Sequence, residues 1–252
     1  MAHSNILVIC EGPSEQDIYT KMANLFVGGG ACKCYTFKTN LYELCDKLVE
    51  NGLGVDIQKD EFDILTILKD FAKTQEDKDI LSNKYESILL CFDVEFQASQ
   101  YDESKLNLMV ETFDNDSEQG QLILNYPMIE SLYDHKNTWE SYKDRDIPLE
   151  GLTSSTYSVC LAKRGIRSPQ KGKCLYYTND QFRLVLDLNI RKACYILGLD
   201  DVHSTEEFLR LASQKNILQS VKTHLYETQC IWIQNTSIFF LLDYIKYPFA
   251  NN

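Results

Sequence analysis

Five acids stand where apolar runs stop or turns begin: Glu11, Glu15, Asp93, Glu95 and Glu130. Glu11 follows Asn5-Ile6-Leu7-Val8-Ile9-Cys10, a run of strand length, and opens the turn Glu11-Gly12-Pro13-Ser14-Glu15. Asp93 and Glu95 follow Ile88-Leu89-Leu90-Cys91-Phe92 in the same way. Carboxylates released at the carboxyl ends of buried strands collect at one edge of an α/β sheet, where such folds bind ligands. Clustered carboxylate oxygens suit Mg²⁺ or Mn²⁺. A cation there would polarise a phosphoryl oxygen or activate a water, so the chemistry expected is metal-dependent hydrolysis of phosphodiesters.

The spacing within this set says how the acids would meet. A two-residue step along an extended segment puts Asp93 and Glu95 on one side. Glu11 would join them from a neighbouring strand, and the step from Glu11 to Glu15 spans a turn into a helix that could fold Glu15 back. Glu130 closes Asn125-Tyr126-Pro127-Met128-Ile129-Glu130. Plainer roles stand beside these: an acid in the first turn of a helix is favoured by the helix dipole, which accounts for Glu15 and Glu130 without a ligand. His135 is an acid-base candidate set against a structural histidine. Asn189 and Lys192, three apart, share a helical face that could approach the site or be solvated.

These residues need a scaffold, and the first half of the chain alternates strand and helix signals. Strands are expected at Asn5 to Cys10, Cys32 to Phe37, Glu86 to Phe92 and Gln121 to Asn125. Between them, Ser14 caps a helix whose apolar stripe is Ile18, Met22, Leu25 and Phe26. Gly28-Gly29-Gly30 ends it as a cap and turn, since no Gly-Lys-Ser/Thr ending marks a phosphate loop. Further helices are expected over Leu41 to Glu50 and Asp60 to Lys73. The alternation predicts a mostly parallel α/β sheet flanked by helices. The second half reads as mainly helical: Asn179 to Leu197, Thr205 to Ser213 behind a Ser204/Glu207 capping box, and a tail from Ile217 to Tyr247 in which Ile231-Trp232-Ile233 could be a strand. The expected division is 1–136 and 137–252.

Composition bounds the function. The 252 residues carry a formal charge of -12, which argues against a passive nucleic-acid coat, because such coats neutralise phosphates with Lys and Arg. The charge is unevenly spread. Asp93 to Glu118 holds eight acids and one lysine, whereas the stretch 151–179 has no acid and carries Lys163, Arg164, Arg167, Lys171 and Lys173. That stretch reads as a basic loop that could hold a nucleic-acid backbone, with Lys171 and Lys173 candidates to offset transition-state charge. Nine cysteines, an odd number partly set in apolar runs, read as reduced thiols. Cys32-Lys33-Cys34 reads as alternating faces of a strand rather than half a zinc site. The run Ile6 to Cys10 lacks a signal-peptide pattern and no run spans a membrane, so a soluble, cytoplasmic protein is expected.

In order and strand context, Glu11-Gly12-x-x-Glu15 after the first strand, the acid-x-acid pair after a later strand and the Asn-x-Pro-x-x-Glu element resemble a Toprim domain. They are most similar to Toprim nucleases of the OLD-like and RloB-like type, over roughly Asn5 to His135. The resemblance implies a Rossmann-like sheet holding Mg²⁺ (or Mn²⁺), with Glu11 as ligand or general base and Asp93, Glu95 and Glu130 as ligands. The second acid of the usual Asp-x-Asp pair is Glu95 here, which alters the site geometry. A nuclease acting on DNA or RNA, tRNA included, is implied, with a role in antiviral defence beside a partner ATPase. The rival reading is a non-catalytic Toprim-like module that binds a protein partner.

Overall fold

The computed structural model describes residues 5–30, 32–54, 63–113, 120–166 and 177–249. Ile6–Cys10 forms strand β1, buried at every residue, as its unbroken apolar run requires of a strand covered on both faces. Helix α1, Pro13–Phe26, starts from Gly12 rather than Ser14. Pro13 takes the first helical position, where its missing N–H leaves no bond unmade, and this moves the cap two residues earlier than Asx/Ser chemistry alone suggests. Its buried stripe is Ile18, Tyr19, Met22 and Ala23. Gly28, at φ 126°, then turns the chain in a conformation that L side chains avoid.

Strand β2 is Cys32–Thr36 and helix α2 is Leu41–Glu50, the latter capped by Asn40, whose side chain accepts the Glu43 N–H. Helix α3, Ile64–Phe71, is capped by Asp63. It is shorter than the expected Asp60 to Lys73, of which residues 60–62 lie outside the described residues. Helix α4, Gln75–Leu81, leads into strand β3, Ser87–Asp93. Helix α5, Glu103–Thr112, precedes strand β4, Gln121–Tyr126, and a 3-10 turn covers Ile129–Tyr133.

Beyond these come β5 (Asp146–Pro148), α6 (Ser154–Lys163), α7 (Asn179–Leu197), α8 (Thr205–Leu211) and α9 (Gln214–Thr228). Two short strands, β6 (Cys230–Trp232) and β7 (Gln234–Asn235), and a 3-10 turn over Ser237–Asp243 follow. The expected tail helix is therefore helical only through Thr228, and its Ile231 run is a strand. The basic loop is corrected too: its first part is α6, closed by a Thr153/Thr156 capping box. At α8, Ser204 caps as expected, while the Glu207 carboxylate reaches back to the His203 N–H.

The five-stranded sheet has the order β2-β1-β3-β4-β7 and is mostly parallel. β1 pairs in parallel with β2 (Cys10 opposite Thr36) and with β3 (Cys10 opposite Cys91), and β7 is antiparallel to β4. From β1 the chain goes to β2 on one side and returns to β3 on the other, so the strand order reverses between β1 and β3. Crevices at such reversals, beyond the carboxyl ends of the strands, are where open α/β sheets bind ligands. The chain forms two compact units, one of residues 1–92 and 102–123, the other of 93–101 and 124–252. Among the described residues no helix is long and apolar enough to cross a membrane.

Candidate functional site

Glu11 stands half-buried immediately beyond β1. The strand pairing runs on past it: the Phe37 N–H donates to the Cys10 carbonyl at 2.8 Å and the Lys38 N–H to that of Glu11 at 2.9 Å. Lys38 reaches this position at φ 67° and is exposed, so a cation stands beside the Glu11 backbone that sequence reading did not single out. Glu15, in the first turn of α1, bends back over Gly12, where a Cβ would lie 3.1 Å from its Oε2. The absent side chain is what leaves that carboxylate its room. Cys10 senses the same charge: burial first, then Cys34, Cys91, Glu15 and Glu11, push its thiol well above the ordinary range.

On β2, Cys32 and Cys34 share a face, with sulfurs 3.8 Å apart. Residues two apart on a strand must do so, which corrects the alternating-face reading. The hydrogen bond between them raises the Cys32 thiol and lowers that of Cys34, and the Thr20 hydroxyl stands 3.3 Å from Cys34.

Asp93 closes β3 and is buried, with 8% of its surface exposed. Its Oδ1 accepts a 3.0 Å hydrogen bond from the side-chain amide of Asn125 on β4. The Asn125 carbonyl oxygen accepts in turn from Nδ2 of Asn235 at 2.8 Å. Asn235 also donates to Ser131 Oγ at 3.1 Å, and its own carbonyl oxygen receives the Ser237 hydroxyl at 2.8 Å. All five residues are buried. Asn125 opens the Asn-x-Pro-x-x-Glu element, so the first residue of that element orients the first acid of the acid-x-acid pair.

The expected same-side placement of Asp93 and Glu95 rests on an extended backbone, and here the structure differs. β3 ends at Asp93, the Glu95 N–H bonds to the Pro127 carbonyl at 3.1 Å, and Glu95 takes φ 46°. A non-glycine residue in the left-handed region is uncommon, and it breaks the two-residue alternation. Glu95 is half-buried, as is Glu130 in the 3-10 turn at Ile129–Tyr133.

Of the basic residues, Lys163 is exposed in the last turn of α6, while Arg167, Lys171 and Lys173 lie outside the described residues. Arg164 points inward. It pairs with the fully buried carboxylate of Asp134 and donates to the Asp146 carbonyl at 2.8 Å. Arg145 holds the other oxygen of Asp134 at 2.9 Å, and the Tyr157 hydroxyl donates at 3.1 Å. Asp134 thus gathers residues far apart in sequence, and sequence reading missed it.

Asn189 and Lys192 are likewise internal. Asn189 Oδ1 accepts from the Tyr142 hydroxyl and the Asn235 N–H, each at 2.8 Å. Lys192 is fully buried, bonds to the carbonyls of Tyr142 and Arg145, and sits over the rings of Tyr142 and Trp232 at 4.7 and 4.9 Å. Burial holds its amine well below the usual lysine range. His135 is buried as well, and burial pushes its imidazole down to about 4.

Among the described residues no group of three or more His, Cys, Asp or Glu side chains is placed to hold a metal ion. Mg²⁺ asks for less than a cage, because it keeps several waters and is commonly held by one or two carboxylates together with substrate phosphate oxygens. Asp93, a hard oxygen donor fixed by an amide, fits that more modest requirement. Compared with protein-family models, with curated proteins and with solved structures, the chain matches none.

Proposed function

We propose that the chain is a Mg²⁺-dependent nuclease that hydrolyses phosphodiester bonds in DNA or RNA, in keeping with the Toprim-like pattern of its sequence. The observation that carries the proposal is the amide chain behind Asp93, in which Asn235 holds Asn125 and Asn125 holds the carboxylate. Outer partners of this kind fix the orientation and basicity of a ligating group, so that little reorganisation remains for the reaction itself. Asp93 ends a strand at the reversal of strand order, the position at which an α/β sheet offers a ligand crevice. Glu11, immediately beyond β1, is the acid to which the Toprim-like pattern gives the role of ligand or general base.

Bound, the ion would supply Lewis-acid polarisation of a phosphoryl oxygen and a more acidic water. The chain's own part is to fix Asp93 through Asn125, to leave Glu15 its space over Gly12, and to offer cations such as Lys38 and Lys163 to the phosphate backbone.

The test is incubation of single- and double-stranded DNA and RNA, tRNA included, with Mg²⁺ or Mn²⁺ in the presence and absence of chelator. Cleavage that needs the ion and disappears in Asp93→Asn is expected. Cleavage that survives Glu11→Ala and Asp93→Ala together overturns the proposal. A stable co-purifying protein, with no divalent-ion binding by calorimetry, moves the reading to a non-catalytic binding module.

A further inference from the structure

One stripe of α7 borders an open groove in the second unit. Asp187, Ile190, Arg191 and Cys194 recur at i, i+3, i+4 and i+7, the spacing of a single helical face, and they line a cavity of about 600 Å³. From Asp187 to Leu197 the helix rises about 15 Å, the length of roughly four or five residues of extended chain. Aromatic rings line the rest. Trp139 meets Tyr195 edge-on at 6.0 Å, and Tyr247 meets Phe249 at 4.7 Å. Both tyrosine hydroxyls are already committed, that of Tyr195 to Asp144 at 2.8 Å and that of Tyr247 to Asp187 at 2.6 Å. What Tyr195, 48% exposed, still offers is its ring.

The groove already holds one cation of its own. The Arg191 guanidinium lies over the Trp139 ring, 4.6 Å from its centroid, with Nη1 3.7 Å from Asp187, so the lining stacks a guanidinium on an aromatic face and pairs it with a carboxylate. Asp200 and Asp201, exposed on the same lining, have no side-chain hydrogen bond or ion pair among the described residues. They follow Gly198, whose left-handed φ of 65° closes α7. A helix C-terminus disfavours negative charge and favours a cation, so both acids stand where a positive partner relieves them. With three aspartates against one arginine, the lining is negative by two charges. The sequence after Phe249 is Ala250-Asn251-Asn252, which holds no ionisable side chain to alter that sign.

We propose that this groove docks an arginine-bearing segment of a protein partner. Its guanidinium pairs with Asp200 and Asp201 and stacks on an exposed ring of the lining, while its apolar neighbours lie against Ile190, Val202 and Phe249. Arginine suits the lining better than lysine, because its planar fork stacks on aromatic faces and meets carboxylates with two bonds. A nucleic-acid backbone is the wrong charge for it. The length along α7 is that of a short peptide rather than of one small amine. Neither Glu11 nor Asp93 lines the groove, so the assignment stands apart from the nuclease reading and goes beyond it.

The experiment titrates the full chain by calorimetry with an end-blocked pentapeptide that alternates leucine and arginine. The comparison probes are the same peptide with citrulline in place of arginine, which keeps the shape without the charge, and spermidine as a small polyamine. The arginine peptide is expected to bind about tenfold or more tightly than the citrulline peptide, a difference of roughly 1.4 kcal/mol, and to weaken as salt rises. Asp200→Asn with Asp201→Asn should weaken it by about tenfold or more. Asp70→Asn with Glu76→Gln makes the same change of charge at exposed positions of α3 and α4, and should leave binding as in wild type. All four substitutions exchange an exposed carboxylate for its amide, so the fold is not at stake. The assignment is overturned if the arginine peptide shows no binding at about 1 mM, or if the citrulline peptide binds equally. It is overturned as well if the control pair weakens binding as much as the Asp200 and Asp201 pair, which would make the attraction one to the acidic chain at large. Spermidine binding as tightly as the peptide would make the groove a polyamine site and remove the partner.

Discussion

The side-chain amide of Asn125 donates to Oδ1 of Asp93 at 3.0 Å, and the pair is buried. The bond ties the end of one strand to a residue 32 positions later, and Asn235 locks the donor from a further strand. An acid held in this way has one orientation to offer.

Asn125→Leu removes the donor and also takes from the Asn235 amide one of its two acceptors, leaving Ser131 Oγ. Cleavage is expected to fall about 10–100-fold, the usual cost of losing an outer-shell partner, and stability by about 1–3 kcal/mol for the buried group left unpaired. Steady-state rates beside urea unfolding check both numbers. A loss of stability at full activity would separate Asn125 from the chemistry.

Asp134→Ala leaves the guanidinium groups of Arg145 and Arg164 facing an uncharged hole. Breaking one side of a buried ion cluster typically costs about 3–5 kcal/mol, so the variant should unfold at markedly lower urea. Arg164→Met, which removes a partner and keeps the stem, should cost less. Equal stability of Asp134→Ala and wild type would show that the cluster carries no structural weight.

This cluster also marks the limit of what the sequence discloses. Asp134 meets Arg145 and Arg164 at sequence separations of 11 and 30, and no local pattern announces such a meeting. Periodic segments were legible: Leu41 to Glu50 and Asn179 to Leu197 are helices at the expected bounds, because apolar spacing and side-chain caps act within a few residues. α6 was not, since Ser154-Ser155-Thr156 reads as loop chemistry until Thr153 is seen to cap the Thr156 N–H. The acids Glu11 and Asp93 were legible as strand-end residues. The left-handed turn at Glu95 was not, because the backbone bond from Glu95 to Pro127 that holds it is tertiary.

His135 sets a pH dependence of stability. Burial chiefly lowers its folded-state value to about 4 from the ordinary 6.5, against the opposing pull of Asp134. Because the folded value lies below the unfolded one, the native state excludes a proton that the unfolded chain binds. Its contribution is fully present above pH 6.5 and is lost as pH falls toward 4, by up to roughly 3 kcal/mol. Urea unfolding at stepped pH should show that slope in wild type and a flatter one in His135→Gln. Parallel slopes would place the dependence elsewhere.

Gly12→Ala tests the space over the first turn of α1. The backbone accepts any residue, at φ -147°, but the new Cβ would stand 3.1 Å from Glu15 Oε2. The carboxylate must therefore shift. Stability should change by less than about 1 kcal/mol, as for other tolerated surface substitutions, while cleavage falls to the level of Glu15→Gln. An active Gly12→Ala beside an inactive Glu15→Gln would contradict the stated position of that carboxylate.

The most direct measurement compares wild type and Asp93→Asn for Mg²⁺-dependent cleavage of the same nucleic acid. The substitution keeps the shape and replaces one hard oxygen donor. Wild type should cleave only with the ion, and Asp93→Asn should be slower by about 10²–10³-fold or more, as expected when a preorganised electrostatic group is removed. Equal rates in the two proteins, or cleavage indifferent to chelator, would contradict the account.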